Sequence, residues 1–184
     1  MEWQEPDCSY FIRRIRATDG ETPFVTGFEA FDRSYDSGPP GVLEDYWQKD
    51  QAGRAPTYLL LDRAANDQVV GVLRYRFEGG QPSASELSLG EGPYIYLSRI
   101  GVADGRQGVR LGSILLEFFY HRVLTEMRRS PGATRLVIWW KCVDQTLTVV
   151  SPLTSAGELQ IFAQKSTDRW GHEYYIQQTV RLAP

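Results

Sequence analysis

Between Tyr94 and Leu116 the apolar positions change from the spacing of a strand to that of a helix. Tyr94, Ile95, Tyr96, Leu97, Ile100 and Val102 form an apolar run rich in β-branched and aromatic residues, which predicts a strand. Asp104-Gly105 is a turn pair. Beyond it Leu111, Leu115 and Phe118, with Ile114 beside them, recur at helical spacing and predict a helix from about Gly108 to Met127. Its apolar residues, among them Leu116, Phe119, Val123 and Leu124, spread around much of the circumference, so the helix is expected to be heavily buried.

The flanking sequence supplies further elements. Tyr10 to Ala17 reads as a first strand, with Phe11, Ile12 and Ile15 between arginines, and Asp19-Gly20 as a turn. Helical patterns follow over 26–35, where Thr26 can cap, and over 42–51, on either side of the Ser37-Gly38-Pro39-Pro40-Gly41 break. Pro56 to Arg63 and Gln68 to Glu78 read as a β-hairpin. The nearly continuous run Tyr58-Leu59-Leu60-Leu61 predicts a strand covered on both faces. Residues 79–93 form a polar loop in which Glu86 to Leu89 can add a short strand. Thr134 to Val143 is strongly strand-like, Gln145 to Val150 weakly so, Ser155 to Lys165 reads as a helix and Tyr174 to Leu182 as a last strand. Arg13, Arg14 and Arg16, and the carboxylates Glu44, Asp45 and Asp50, read as solvated charges.

Arg106-Gln107-Gly108-Val109-Arg110-Leu111-Gly112 lies between the central strand and helix. A strand, a glycine-bearing loop and a helix start together make an anion site. The first-turn N–H groups lack partners within the helix, and the helix dipole favours negative charge there. Glycine lets a phosphate approach the backbone, and Arg106 and Arg110 add positive charge.

This stretch resembles the pyrophosphate-binding motif of the GNAT N-acyltransferase family, Gln/Arg-x-x-Gly-x-Gly/Ala. Gln107 and Gly112 match it, and Arg110 stands where the first motif glycine usually sits. Leu97 to Val102 looks like the family's fourth strand, Ser113, Leu115 and Leu116 like its third helix, and Tyr58 to Leu73 like its second and third strands. The resemblance implies a mixed α/β (α+β) fold: one domain over 1–184, with a largely antiparallel central sheet and helices on both faces. It implies acetyl transfer from acetyl-CoA, as cosubstrate, to a primary amine on a small molecule, a protein or an aminoacyl-tRNA.

On that resemblance Gln107, Gly108, Val109, Arg110, Leu111, Gly112 and Ser113 would bind the pyrophosphate. Backbone groups of Ile100 and Val102 would align the pantetheine amides, one N–H stabilising the oxyanion. The family's fifth strand splays from the fourth, and the gap receives the thioester. A base must deprotonate the acceptor ammonium, with Glu86, Glu91 and Tyr94 as candidates. If Leu159 to Phe162 aligns with the family helix that carries a general-acid tyrosine, Phe162 takes its place, and Tyr174 or Tyr175 could substitute. Phe24 to Asp32, Thr57 to Leu60 and Ser98 to Val102 also look like the GNAT toxins that acetylate aminoacyl-tRNA. From a different functional class, a non-catalytic GNAT-like module binding an acyl-CoA or a protein partner is the alternative.

Charge and composition narrow the field. A net charge of −3 argues mildly against gripping a long nucleic acid and so does not favour tRNA. Cys8 and Cys142 with two histidines offer no close ligand spacing, so no metal site is expected. The sequence has no membrane-length apolar run and no signal-peptide pattern, so a cytoplasmic protein is expected; a homodimer is left open.

Overall fold

The computed structural model describes residues 3–4, 9–21, 47–48, 50–53, 55–78, 93–103, 105–106, 108, 110–127, 135–143, 158–168 and 171–181. The chain forms two compact units, Met1–Tyr75 with Arg99–Arg122, and Arg76–Ser98 with Val123–Pro184. The predicted helix over 26–35 and the strands over 86–89 and 145–150 lie outside the described residues.

In the first unit the hydrogen-bonded order is β1 (Trp3–Gln4), β2 (Tyr10–Arg14), β3 (Thr57–Asp62), the first part of β4 (Gln68–Glu78) and the last part of β5 (Tyr94–Val102). β1 to β4 pair antiparallel, and the hairpin expected between β3 and β4 forms. Its turn is a 3-10 segment, Arg63–Ala65, followed by Asn66 and Asp67 at φ 56° and 58°. Asn and Asp tolerate this left-handed conformation better than branched residues do.

Every residue of β3 is buried, as the apolar run predicts. One face carries a cluster of Phe11, Ile15, Leu59, Leu61, Val69, Val72 and Ala103, with Trp47 against it. The other meets the helix α1 (Leu111–Met127). Tyr58 packs edge-on against Phe118 at 4.9 Å between ring centres, and Tyr75 against Phe119 at 5.3 Å. Gly71 sets the closeness of helix and sheet. A Cβ there would sit 3.1 Å from Leu115 Cδ1 and 3.1 Å from Leu60 Cβ.

Of the charges read above as solvated, Arg14 and Arg16 are exposed, whereas Arg13 is partly and Asp50 wholly withdrawn from water. Asp50 is 1 % exposed and accepts from Arg14 Nε at 3.0 and 2.9 Å and from the Thr57 N–H at 2.8 Å. It thereby ties the helical residues 47–48 and 50–51 to β2 and β3. Asp19, in the 3-10 segment Ala17–Glu21, accepts two bonds of 2.7 Å from Arg13 and one of 2.6 Å from the Arg16 N–H. A buried carboxylate persists only when such donors offset its lost hydration.

In the second unit the first part of β5 pairs parallel with β6 (Arg135–Val143), joining Tyr94, Ile95 and Tyr96 to Val137, Ile138 and Trp139. β6 pairs antiparallel with β8 (Gly171–Arg181), and β8 with β7 (Glu158–Asp168). The helix expected over 155–165 is therefore wrong. Leu159, Ile161 and Ala163 flanked by Gln160 and Gln164 follow a two-residue period that Phe162 interrupts, and so short an apolar window also passes for helical. The ladder to β8 decides for the strand, because it satisfies the backbone over most of its length. Among the described residues no helix is long and apolar enough to cross a membrane.

Gly71→Val should lower the unfolding free energy by about 1–3 kcal/mol, since the added carbons enter a packed interface. Urea denaturation checks this, and an unchanged midpoint would show that Leu60 and Leu115 yield freely. Asp19 gives a pH prediction. Burial by itself would raise its pKa, but the Arg13 side chain and the Arg16 N–H outweigh burial and hold it below the usual carboxylate range. Its contribution is then present above the unfolded pKa of about 3.9 and is lost as pH falls through the lower folded value. Asp19→Asn should lower stability at neutral pH and flatten the acid limb of a thermal-unfolding series. An acid limb as steep as the parent's would assign that sensitivity to other carboxylates.

Candidate functional site

β5 leads through residues 103–110 into α1, and the loop is fixed by backbone bonds at both ends. Ala103 is buried and its N–H donates to the Val70 carbonyl at 2.9 Å. Arg106 N–H donates to the Ala103 carbonyl at 3.0 Å, closing a turn around Gly105, whose φ is +76°. Gly108 follows at φ +85°. At the far end Ile114 N–H donates to the Arg110 carbonyl at 3.0 Å, the first intrahelical bond of α1.

Arg110 has φ 63°, the left-handed region that suits glycine. The position where the motif usually has glycine thus keeps a glycine-like backbone while carrying an arginine side chain that is 80 % exposed. This also explains why the helix starts at Leu111 rather than at about Gly108 as predicted: a left-handed residue cannot join a right-handed helix.

Leu111, Gly112 and Ser113 form the first turn, and geometry gives their N–H groups no acceptor within the helix. No acidic side chain occupies that turn, so the positive end of the helix dipole is uncompensated there. Leu111 is buried and anchors the turn, whereas a Cβ placed on Gly112 would meet nothing within 4 Å. The side of Gly112 on which a side chain would stand is therefore open.

The two loop arginines differ. Arg110 is 3.9 Å from Glu117, and both side chains are exposed, so this pair is weak. Arg106 lies 3.3 Å from Asp62, whose side chain is only 5 % exposed. The cation expected at Arg106 is therefore matched by a buried carboxylate. Sequence reasoning passed over Asp62 at this site. Its place before the Arg63-Ala64-Ala65 turn signals a cap, but no local pattern links it to Arg106.

The structure brings Ile100, Val102, Gly108, Arg110, Leu111, Gly112 and Ser113 together on one strand–loop–helix segment. Gln107, Val109, Glu86 and Glu91 lie outside the described residues. Tyr94 and Tyr175 belong to the second unit. Tyr94 opens β5 and is buried. Tyr175 on β8 is in register with Lys141 of β6 and with Phe162 of β7, so Phe162 does not lie on a helix. A cavity of about 730 Å³ opens elsewhere in the first unit, beside Phe11, Arg13, Asp19 and the turn at Asn66 and Asp67. Its Arg13 is already paired with Asp19. Among the described residues no three His, Cys, Asp or Glu side chains gather as a metal site.

A model of the acetyltransferase (GNAT) family matches residues 22–148. No curated protein sequence matches the chain. Solved structures match its fold at low identity. The ribosomal-protein-S5-alanine acetyltransferase from Vibrio fischeri is 10% identical with a TM-score of 0.66, covering 100% of this chain and 100% of that one. Arabidopsis thaliana NAA60, solved with a bisubstrate analogue, is 13% identical with a TM-score of 0.60, covering 95% and 99%. A mutant AtaT toxin, bound to the C-terminus of its antitoxin AtaR and acetyl-CoA, is 13% identical with a TM-score of 0.55, covering 91% and 92%.

Replacing Arg110 by glycine should relieve the left-handed strain, which for a residue with a Cβ is worth roughly 1–2 kcal/mol before the entropy that glycine adds to the unfolded chain. Arg110→Gly is expected to fold normally and to unfold at an equal or higher urea concentration. A clear loss of stability would mean that the side chain stabilises the loop.

Proposed function

The chain belongs to the acetyltransferase (GNAT) family, and we propose that it transfers an acetyl group from acetyl-CoA to a primary amine. The observation that carries this reading is the open, acid-free first turn of α1 behind a loop with left-handed residues at Gly105, Gly108 and Arg110. Its donors suit a pyrophosphate: backbone N–H groups at Gly112 and Ser113, with an exposed arginine, Arg110, on the residue that precedes the helix.

The remaining roles follow the polarity of the reaction. Acetyl-CoA supplies an acyl group activated as a thioester. Backbone groups of Ile100 and Val102 on β5 hold the pantetheine arm, and an N–H there donates to the acyl oxygen as negative charge develops on it. Glu86, Glu91 or Tyr94 takes a proton from the acceptor ammonium, since only the neutral amine attacks. The departing thiolate, with a thiol pKa of about 8.5, leaves tolerably without help, and Tyr175 is the candidate to protonate it. Holding the reactants in line supplies a large share of the acceleration.

Two departures from the family pattern, Arg110 at the motif glycine and Phe162 at the tyrosine position, bear on the alternative of a non-catalytic module. Arg110 has the backbone conformation that a motif glycine would take. Phe162 is on a strand, so it does not stand in for a helical tyrosine. Of the acceptor classes, a small-molecule or protein amine suits the net charge of −3 better than tRNA does.

Calorimetric titration with acetyl-CoA and with free CoA tests the site. The protein should bind in the micromolar range, and Gly112→Glu should lose binding by roughly 100-fold or more, because it puts a carboxylate at the positive helix end. The open space at Gly112 lets that variant fold, and Gly112→Ala should bind nearly as the parent does. Equal affinity in Gly112→Glu would overturn the site. Release of thiol with an amine acceptor would exclude the binding-module alternative.

A further inference from the structure

The loop between β5 and α1 holds left-handed backbone at Gly105, Gly108 and Arg110. Such a segment is costly to order, because glycine gives up more conformational freedom than other residues and arginine is strained there. Backbone bonds fix it at Ala103 and at Arg110. Between those points the Arg106 side chain reaches Asp62 at the end of β3.

The Asp62 carboxylate is divided between two tasks. Oδ1 accepts the Ala64 N–H at 3.0 Å and caps the 3-10 turn. Oδ2 faces Arg106 at 3.3 Å. The carboxylate is almost wholly buried, so it is held in place by the sheet rather than by its partner. Water screens this pair less than the exposed Arg110–Glu117 pair.

We infer that Asp62 is a positioning residue for acetyl-CoA, acting through Arg106; this rests on the reading of the loop as the pyrophosphate site. Arg106 is a strut that fixes the loop against β3, and its charge is largely spent on Asp62. Among the described residues of the loop, Arg110 is the cation left for the phosphates. Losing the strut returns the loop to a wider ensemble, and the cofactor must then bear the cost of ordering it. The loss falls on binding, so KM for acetyl-CoA rises while kcat is little changed.

The test compares the parent with Asp62→Asn, Arg106→Gln and the double variant. Asn keeps an oxygen that can cap the turn and removes only the charge. Acetyl-CoA titration should show each single variant weakened roughly tenfold, and the double no weaker than the worse single, as expected for partners acting as one unit. Hydrogen exchange of peptides covering 103–110, measured without ligand, should be faster in both single variants. Unchanged exchange overturns the strut whether or not the protein binds acetyl-CoA. Faster exchange with unchanged affinity, or additive losses in the double variant, overturns the positioning role. Failure of the parent to bind acetyl-CoA, with faster exchange in the variants, would defeat the pyrophosphate site and the acetyl-CoA role of Asp62 while leaving the strut standing.

Discussion

An α-helix cannot satisfy the N–H groups of its own first turn, and α1 begins with Leu111, Gly112 and Ser113, with no acidic side chain in that turn and open space on the Cβ side of Gly112. The arrangement has requirements on either side. Leu111 must be buried to fix the turn, and the chain before it must reverse direction sharply. That reversal needs left-handed backbone, which the protein places on two glycines and on Arg110. The usual acidic residue that stabilises a helix start is missing, so some helix stability is forgone where an anion is expected.

Such an opening is useful only if the helix cannot shift, and the sheet beneath supplies that rigidity. β3 is buried along its whole length, between the Phe11–Leu59–Val72 cluster and α1. Gly71 lets Leu115 come within van der Waals contact of the sheet, where a methyl group would crowd it. Buried carboxylates then lock the surrounding segments. Asp50 joins the helical turn near Trp47 to β2 and β3, Asp19 folds the segment after β2 back onto Arg13, and Asp62 reaches from the hairpin turn to Arg106. Each is stable because directed donors offset the cost of dehydrating a charge.

Local pattern determined the parts whose cause is local. The change from strand to helical period around Asp104-Gly105 marked β5, the loop and α1, and the run Tyr58 to Leu61 marked a strand covered on both faces. The hairpin of β3 and β4 and the resemblance to an acyltransferase motif were likewise legible, because turn residues and apolar period are encoded over a few neighbouring positions. Tertiary structure decided what depends on residues far apart. Arg14 and Asp50 are 36 positions apart, and nothing in either neighbourhood tells a buried carboxylate held by a distant arginine from two solvated charges. Arg106 reads as a free cation until the fold sets Asp62 beside it. Residues 158–168 fit a helix about as well as a strand until β8 provides a partner for the backbone. Long-range pairing has no signature in local spacing, because it becomes favourable only after the chain has brought distant segments together.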